Sequence, residues 1–169
     1  MKNFFKISIL MLPLITFTNH SLATGIPLAK TTVVKAETSK KSEGLLFEIK
    51  NFRQLSSVFS SAGMPELNEI DFLKQNGYQH IVNLIPGAFD DEQEKIIALN
   101  MSFEQIEVDW NEPKLADFQR FVELMKTYQQ EKVLVHCRLN YRASAFAYLY
   151  QTTQLGVDDS TAKQTMHTV

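Results

Sequence analysis

The folded part of the sequence predicts an α/β domain in which a mainly parallel sheet is flanked by helices. Short runs with strand character alternate along the chain with segments whose apolar residues recur at helical spacing. One short run, Val133 to Val135, is wholly apolar, which is typical of a central strand covered on both faces. Strands that alternate with helices favour parallel pairing, with helices packed on both faces of the sheet.

The first half of the domain contains two units of a strand followed by a helix. We predict strands over residues 55–60 and 80–85, and helices over residues 66–76 and 90–99. Gly77 lies where the C-terminal cap of the first helix belongs. Acidic residues begin the second helix, as the positive end of the helix dipole favours.

The second half continues the same alternation. We predict strands over residues 103–108 and 133–135, and helices over residues 113–129 and 142–155, with a last short helix over residues 160–166. The first of these strands has alternating faces, and the first of these helices begins with a proline, which suits a first-turn position.

The N-terminal residues predict export. Two lysines precede an apolar run over residues 7–17, and small residues up to Ala23 suit a signal peptidase, so residues 1–23 are typical of a cleaved signal peptide. The run is shorter than the roughly 20 residues of a membrane-spanning helix, although an uncleaved anchor is the alternative. We expect a disordered linker over residues 24–45, a domain over residues 46–169, and a periplasmic or secreted protein without stable membrane insertion after cleavage.

Charge and composition exclude several classes of partner. Removal of the signal peptide takes away two lysines and no acid, so the formal net charge changes from −2 to −4. There is no basic block of the kind that nucleic acid or anionic lipid selects. No group of His, Cys and Asp residues has the spacing of metal ligands, so we expect no metal and no other cofactor.

The sequence contains a single cysteine, Cys137, and exported domains usually keep cysteines in pairs. A leftover thiol indicates a reactive group, an intermolecular bridge, or a buried cysteine that acts as a small hydrophobe. Cys137 follows the apolar strand and precedes a helix, whose free N–H groups and dipole favour an anion and hence the nucleophilic thiolate. Arg142 adds a planar cation suited to an oxyanion, and Asn140 tolerates the positive φ of a tight anion-binding loop.

The motif His-Cys-x4-Arg, after an apolar strand and before a helix, resembles that of the cysteine-dependent tyrosine and dual-specificity phosphatases. It looks closest to the small bacterial phosphatase-like domain also found fused in beta-lactamase-hydrolase-like proteins. The resemblance covers about residues 52 to 166 and includes the turn at residues 61–65 and the strand residues 82–84. It implies that Cys137 is the nucleophile that forms a phosphocysteine, that Arg142 binds the phosphoryl oxygens, and that His136 orients the loop and supports the thiolate.

The loop departs from the phosphatase pattern at three points. Four residues separate Cys137 from Arg142, where the phosphatases have five; Asn140 replaces the usual glycine; and Ala143 replaces the usual Ser or Thr. The shorter loop resembles that of rhodanese-type sulfurtransferases, in which a cysteine carries a sulfane sulfur. Two alternatives therefore stand beside a phosphatase: a sulfurtransferase or persulfide carrier that uses the same cysteine, and a binding module that holds an anion without turnover.

The remaining candidates surround the loop. A phosphatase needs an acid to protonate the leaving oxygen, an effect of about 10²–10⁴-fold. Asp109 is the first candidate and Glu112 the second, and the alternative for Asp109 is a solvated carboxylate or a helix cap. A phosphorylated small molecule or phosphoprotein is the expected partner, and a phosphate- or sulfate-like anion is the expected ligand of the loop. The candidate substrate-binding residues are Arg138, Leu139, Asn140, Tyr141 and Trp110, although aromatic and arginine side chains there also suit a core edge and a solvated surface.

Overall fold

The structure, a computed structural model, describes residues 40–41 and 43–167 and has a five-stranded sheet at its centre. The strands are β1 (Arg53–Gln54), β2 (Phe59–Ala62), β3 (Tyr78–Asn83), β4 (Ser102–Gln105) and β5 (Lys132–His136). Their order is β1-β2-β5-β3-β4, in which only β1 pairs in the antiparallel sense. The mainly parallel sheet is confirmed, and the apolar run at residues 133–135 does form its central strand.

In the described part of the chain, five helices that flank this sheet follow the first strand: α1 (Glu69–Gln75), α2 (Asp90–Ala98), α3 (Leu115–Thr127), α4 (Tyr141–Gln154) and α5 (Asp159–His167). Among the described residues, none of the helices combines the length and the apolar character that crossing a membrane requires. Residues 40–41 and 43–46, before the first strand, are also helical. The predicted signal peptide and most of the predicted linker lie outside the described residues.

Alternating side chains of β5 divide the core into two layers. Val133, Val135 and Cys137 pack in the layer formed with α3 and α4. Leu134, between them, packs in the other layer, which contains apolar residues of α1 and α2 together with residues 46–52 of the N-terminal segment. Because successive side chains of a strand point to opposite faces, the next residue in the Leu134 series, His136, belongs to the α1 and α2 side.

The predicted boundaries shift where local turns replace regular structure. The strand predicted over residues 55–60 corresponds to β2, which begins at Phe59, because the N–H groups of Leu55 and Ser56 both donate to the Phe59 carbonyl, at 2.9 and 3.0 Å, in a tight turn. The third helix begins at Leu115 rather than Pro113, because Lys114 is extended and its N–H donates to Asp117 Oδ2 at 3.0 Å. The proline therefore precedes the helix.

The strand predicted over residues 103–108 ends at Gln105. The N–H of Ile106 still donates to the Asn83 carbonyl at 2.9 Å, and the chain then leaves the sheet. Ile106 and Val108 nevertheless stay buried in the layer under α3 and α4. The alternation of apolar and polar residues in the sequence thus predicts correctly that Ile106 and Val108 are buried. The hydrogen-bonded strand itself is shorter than the predicted one.

Candidate functional site

The cysteine loop lies at the carboxyl end of the central strand. Cys137 directly follows β5, and its side chain is a free thiol with only 2% of its surface exposed. Its N–H donates to the carbonyl of Ala62, the last residue of β2, at 3.3 Å. Ligands of parallel α/β sheets bind beyond the carboxyl ends of the strands, so Cys137 lies at the edge where a ligand is expected.

Asn140 joins this loop to α4 through a left-handed backbone conformation, with φ at 74°. The positive φ predicted from the residue type is therefore present. Its carbonyl accepts the N–H of Ser144 at 2.8 Å, which begins the hydrogen-bonded ladder of the helix. The earlier N–H groups of the first turn have no helical carbonyl to bond, so they remain donors for an anion.

The side chain of Asn140 is fully buried and anchors the loop instead of lining the cavity. Its Nδ2 donates to the carbonyl of Asn51 at 2.7 Å and to Ser61 Oγ at 3.2 Å. Asn51 in turn donates from its own Nδ2 to the carbonyl of Leu139 at 3.0 Å. The sequence does not indicate that Asn51 and Ser61 anchor the loop, because both are about eighty residues or more from it along the chain.

Gly63 brings the preceding turn against the same loop. Its N–H donates to the Lys50 carbonyl at 2.7 Å, and a Cβ at this position would lie 2.9 Å from that oxygen. Gly63 also forms an isolated antiparallel bridge with Leu139, and the N–H of Met64 donates to the Arg138 carbonyl at 3.4 Å. The absence of a side chain at Gly63 thus allows the turn to support the loop from one side.

Arg142 is held by the two chain segments that follow β3 and β4. Its Nη1 donates to the Leu84 carbonyl at 3.1 Å and to the Val108 carbonyl at 2.5 Å. Its Nε is buried and has no hydrogen-bond partner among the described residues. The two Nη1 hydrogen bonds fix the guanidinium. A buried N–H group without an acceptor is costly, so a bound oxyanion that accepted from Nε would offset that cost.

A cavity of about 310 Å³ opens over the cysteine. The aromatic rings of Trp110 and Tyr141 have centroids 6.5 Å apart and form part of its wall. A wider cavity of about 720 Å³ lies beside it, between residues 64–67 and residues 88–92, and Arg138 lines both. The smaller cavity is lined by Trp110, Cys137, Arg138, Leu139, Tyr141 and Arg142.

His136 lies beneath the loop in a buried polar cluster. Its Nε2 lies 2.9 Å from Oε1 of Glu92, although the direction between the two atoms does not suit an aligned hydrogen bond. Oε2 of Glu92 accepts from Asn83 Nδ2 at 2.9 Å, and Asn83 Oδ1 accepts the N–H of Ile85 at 2.7 Å. In the sequence, Glu92 is only one of the acids in the first turn of a helix, so its contact with His136 could not be predicted.

Asp109 lies outside the immediate lining of the Cys137 cavity. Its carboxylate is exposed, and Oδ1 accepts the N–H groups of Asn111 and Glu112 at 2.7 and 3.0 Å. Its two chain neighbours, Val108 and Trp110, both touch the site, through the Arg142 hydrogen bond and through the cavity wall. The side chain of Glu112 is exposed in the same loop. The general-acid role of either residue stays a prediction.

Solved structures resemble this fold at two levels of similarity. The chain is 36% identical to a candidate phosphatase (DUF442) from Shewanella putrefaciens CN-32, with a TM-score of 0.64, over 71% of this chain and 78% of that chain. A second crystal structure under the same description is 35% identical, with a TM-score of 0.66, over 72% and 83% of the two chains. This chain belongs to the DUF442 family. No family model matches the sequence, and no curated protein matches it either.

More distant structures show which fold this DUF442 chain has. TpbA of P. aeruginosa, in complex with phosphotyrosine, is 18% identical with a TM-score of 0.60, over 69% of this chain and 72% of that chain. Kinase associated phosphatase, with its catalytic-site cysteine replaced by serine, is 15% identical with a TM-score of 0.52, over 64% and 73%. The DUF442 chain therefore has the fold of the cysteine-dependent tyrosine and dual-specificity phosphatases, as the motif resemblance predicts, and its relatives support a phosphatase.

The buried anchor at Asn140 leads to a stability prediction. We expect Asn140→Ala to destabilise the protein by about 1 kcal/mol more than Asn140→Gly, because only the alanine variant adds the strain of a left-handed backbone. Both variants lose the hydrogen bonds to Asn51 and Ser61, which costs a further 1–3 kcal/mol or so. Urea unfolding of the two variants measures the difference, and equal free energies of unfolding would contradict the strain argument.

Proposed function

We propose that this DUF442 protein is a cysteine-dependent phosphatase that hydrolyses phosphomonoesters through Cys137. One observation carries the proposal: the guanidinium of Arg142 is fixed through Nη1 while its buried Nε has no acceptor among the described residues, and Cys137 and Arg142 line the same cavity. A phosphoryl group bound at the N-terminus of α4 would accept from that Nε and from the free N–H groups of the first turn.

The reaction takes two steps. The Cys137 thiolate attacks the phosphorus, an S–P bond forms, and the P–O bond to the leaving group breaks. The leaving oxygen takes a proton from a general acid, for which Asp109 is our candidate because its neighbours contact the site. Water then attacks the phosphocysteine, the S–P bond breaks, and inorganic phosphate and the thiolate are released. The same acid, now a carboxylate, accepts the proton of that water.

An aryl phosphate is the substrate class that the cavity suits best. Trp110 is 62% exposed and Tyr141 is 49% exposed, so both rings offer apolar faces at the mouth of the cavity. Such faces stack on an aromatic leaving group, and the fold is shared with TpbA, whose structure contains phosphotyrosine. The wider cavity beyond Arg138 gives room for the remainder of a phosphorylated small molecule or protein.

Sulfur transfer is the second candidate, and the loop length favours it. Only four residues separate Cys137 from Arg142, as in the rhodanese pattern. A sulfane sulfur on Cys137 needs fewer donors than a phosphoryl group, whose transition state spreads charge over three oxygens. The buried Nε of Arg142, which has no acceptor among the described residues, supports the phosphoryl group instead, because a bound oxyanion would supply that acceptor.

One pair of assays decides between the two chemistries. The protein is incubated with p-nitrophenyl phosphate, and separately with thiosulfate and cyanide, and the release of p-nitrophenol and of thiocyanate is followed. We expect turnover of the aryl phosphate and none of thiosulfate. Sulfur transfer that depends on Cys137, beside negligible phosphate release, would replace the phosphatase by a sulfurtransferase, whereas anion binding without either activity would favour a binding module.

The general-acid role predicts a dependence on the leaving group. Asp109→Asn is expected to slow the hydrolysis of an alkyl phosphate by about 10²-fold or more. It should slow the hydrolysis of p-nitrophenyl phosphate much less, because a good leaving group needs little protonation. Glu112→Gln makes the same change at the second candidate in the same exposed loop and should change both rates little; the reverse pattern would assign the acid to Glu112. Equal losses on the two substrates in Asp109→Asn would remove Asp109 from the mechanism.

We also propose that the enzyme acts outside the cytoplasm, because residues 1–23 have the pattern of a secretory signal. The intact mass of protein recovered from the periplasm or medium is expected to match a chain that begins at Thr24. Recovery of chains that still begin at Met1 would contradict cleavage and support the uncleaved anchor.

A further inference from the structure

We propose that Glu92 is a positioning residue that acts on Cys137 through His136, an inference that rests on the proposed role of Cys137 as nucleophile. The alternation along β5 explains the placement. Leu134 packs on the α1 and α2 side of the sheet, and His136, two residues further along the strand, meets Glu92 of α2 on that side. Cys137, the next residue, belongs to the other layer and lines the cavity.

The burial of Glu92 is the observation that needs an explanation. Its side chain is 2% exposed, and carboxylates are almost never buried unless they are paired. Asn83 partners only one of its two oxygens, Oε2, by a hydrogen bond of 2.9 Å. Asn83 is itself fixed by the N–H of Ile85, so the carboxylate is oriented with Oε1 towards the His136 ring. The imidazole ring of His136 is therefore the group that Oε1 of Glu92 contacts.

The contact with His136 is electrostatic in character. Nε2 and Oε1 are 2.9 Å apart without hydrogen-bond alignment, and His136 has no exposed surface. A carboxylate this close to the ring supplies the counter-charge for a proton on it, since a buried pair carries no net charge into the core. The ring belongs to the residue next to Cys137 along the chain, so a proton held on it would place a positive charge beside the sulfur. In this way Glu92 acts on the sulfur without contacting it.

Two routes from Glu92 to Cys137 predict opposite signs. If Glu92 acted directly, its negative charge would disfavour the thiolate, and Glu92→Gln would move thiolate formation to lower pH. If it acts through His136, Glu92→Gln removes the counter-charge of the imidazolium, and thiolate formation moves to higher pH. The other charged or titratable groups around the loop are unchanged in this variant: Glu66, Asp90, Asp91, Asp109, Arg138, Tyr141 and Arg142.

The test measures the rate of Cys137 alkylation by iodoacetamide against pH in the wild type, Glu92→Gln and Glu94→Gln. Glu94→Gln is the matched control, because it makes the same change at an exposed position of the same helix. We expect the pH of half-maximal rate to rise by about one unit in Glu92→Gln and to stay unchanged in Glu94→Gln. A fall, or no change, in Glu92→Gln would overturn the proposal.

Two further variants keep the test decisive. Glu92→Met removes the charge with an apolar side chain of similar size, which a buried position accepts more readily than an unpaired amide, and it should give the same rise. His136→Gln should raise the half-maximal pH as well, and adding Glu92→Gln to it should then change nothing further. Independent, additive shifts, or no rise in His136→Gln, would overturn the route through His136. Because alkylation does not require turnover, these outcomes are separate from failure of the phosphatase assay.

Discussion

Replacement of Cys137 by serine is expected to lower kcat for an aryl phosphate by on the order of 10⁴-fold or more, because no covalent intermediate can then form at neutral pH. The hydroxyl is nearly the size of the thiol it replaces, and Cys137 is buried in the same core cluster as Val135 and Ala143. The fold should therefore persist. Steady-state release of p-nitrophenol measures the loss, and thermal unfolding checks that the variant is folded.

The serine variant should still bind the anion. Arg142 and the first-turn N–H groups of α4 are unchanged in it, so the affinity for inorganic phosphate, measured by calorimetry, should stay close to that of the wild type. Ser144→Ala is a useful control for hydroxyl chemistry near the loop, because Ser144 Oγ donates to the Tyr141 carbonyl rather than into the cavity. Substantial activity in Cys137→Ser would contradict the role of the thiol.

Replacement of Arg142 by lysine is expected to lower kcat/KM for the same substrate by about 10²–10³-fold, a loss typical of removing an oriented donor to developing charge. A lysine retains the positive charge but has one ammonium group. That group cannot donate to the Leu84 and Val108 carbonyls and also present a planar pair of N–H groups to a phosphoryl oxygen. The affinity for inorganic phosphate should fall together with kcat/KM.

Arg138→Lys provides the matched control for charge. Arg138 lies in the same loop, lines the same cavity and is exposed, and no side-chain hydrogen bond or ion pair fixes it in the described structure. Its replacement should change kcat/KM by only a few-fold. If Arg142→Lys and Arg138→Lys had equally small effects, the fixed guanidinium would not be the phosphoryl receptor.

Local sequence signals predict the part of the site that local chemistry determines. The apolar run at residues 133–135 specifies a central strand, and the loop that follows it therefore lies at the carboxyl edge of the sheet. Asn140 could be assigned a positive φ because its residue type tolerates that conformation. The spacing of Cys137 and Arg142 along one loop and the first turn of a helix brings both to one cavity.

The sequence pattern does not predict contacts between residues that lie far apart along the chain. Glu92 reads as one of several acids in a first turn, and nothing in its neighbours distinguishes it from Asp91 or Glu94, which are exposed. Only the pairing of β3 with β5 places Asn83 beside His136 and so explains why this one acid is buried. The same holds for Asn51, whose hydrogen bond with Leu139 spans 88 positions of the chain.

The placement of Asp109 also depends on tertiary structure. Its position after a strand predicted that it would lie at the carboxyl edge, and its neighbour Val108 does lie there, bonded to Arg142. The orientation of its carboxylate depends on the loop, where Oδ1 accepts the N–H groups of both Asn111 and Glu112. Sequence alone does not specify which of these acceptor geometries the carboxylate adopts.

The most direct test of a phosphatase that works through Cys137 is to trap its covalent intermediate. The protein is mixed with p-nitrophenyl phosphate, quenched in acid within the first turnover, and digested for mass spectrometry. We predict a single phosphoryl group on the sulfur of the peptide that contains Cys137, absent from Cys137→Ser. An unmodified peptide after phosphate, together with an added sulfur on Cys137 after thiosulfate, would contradict the account.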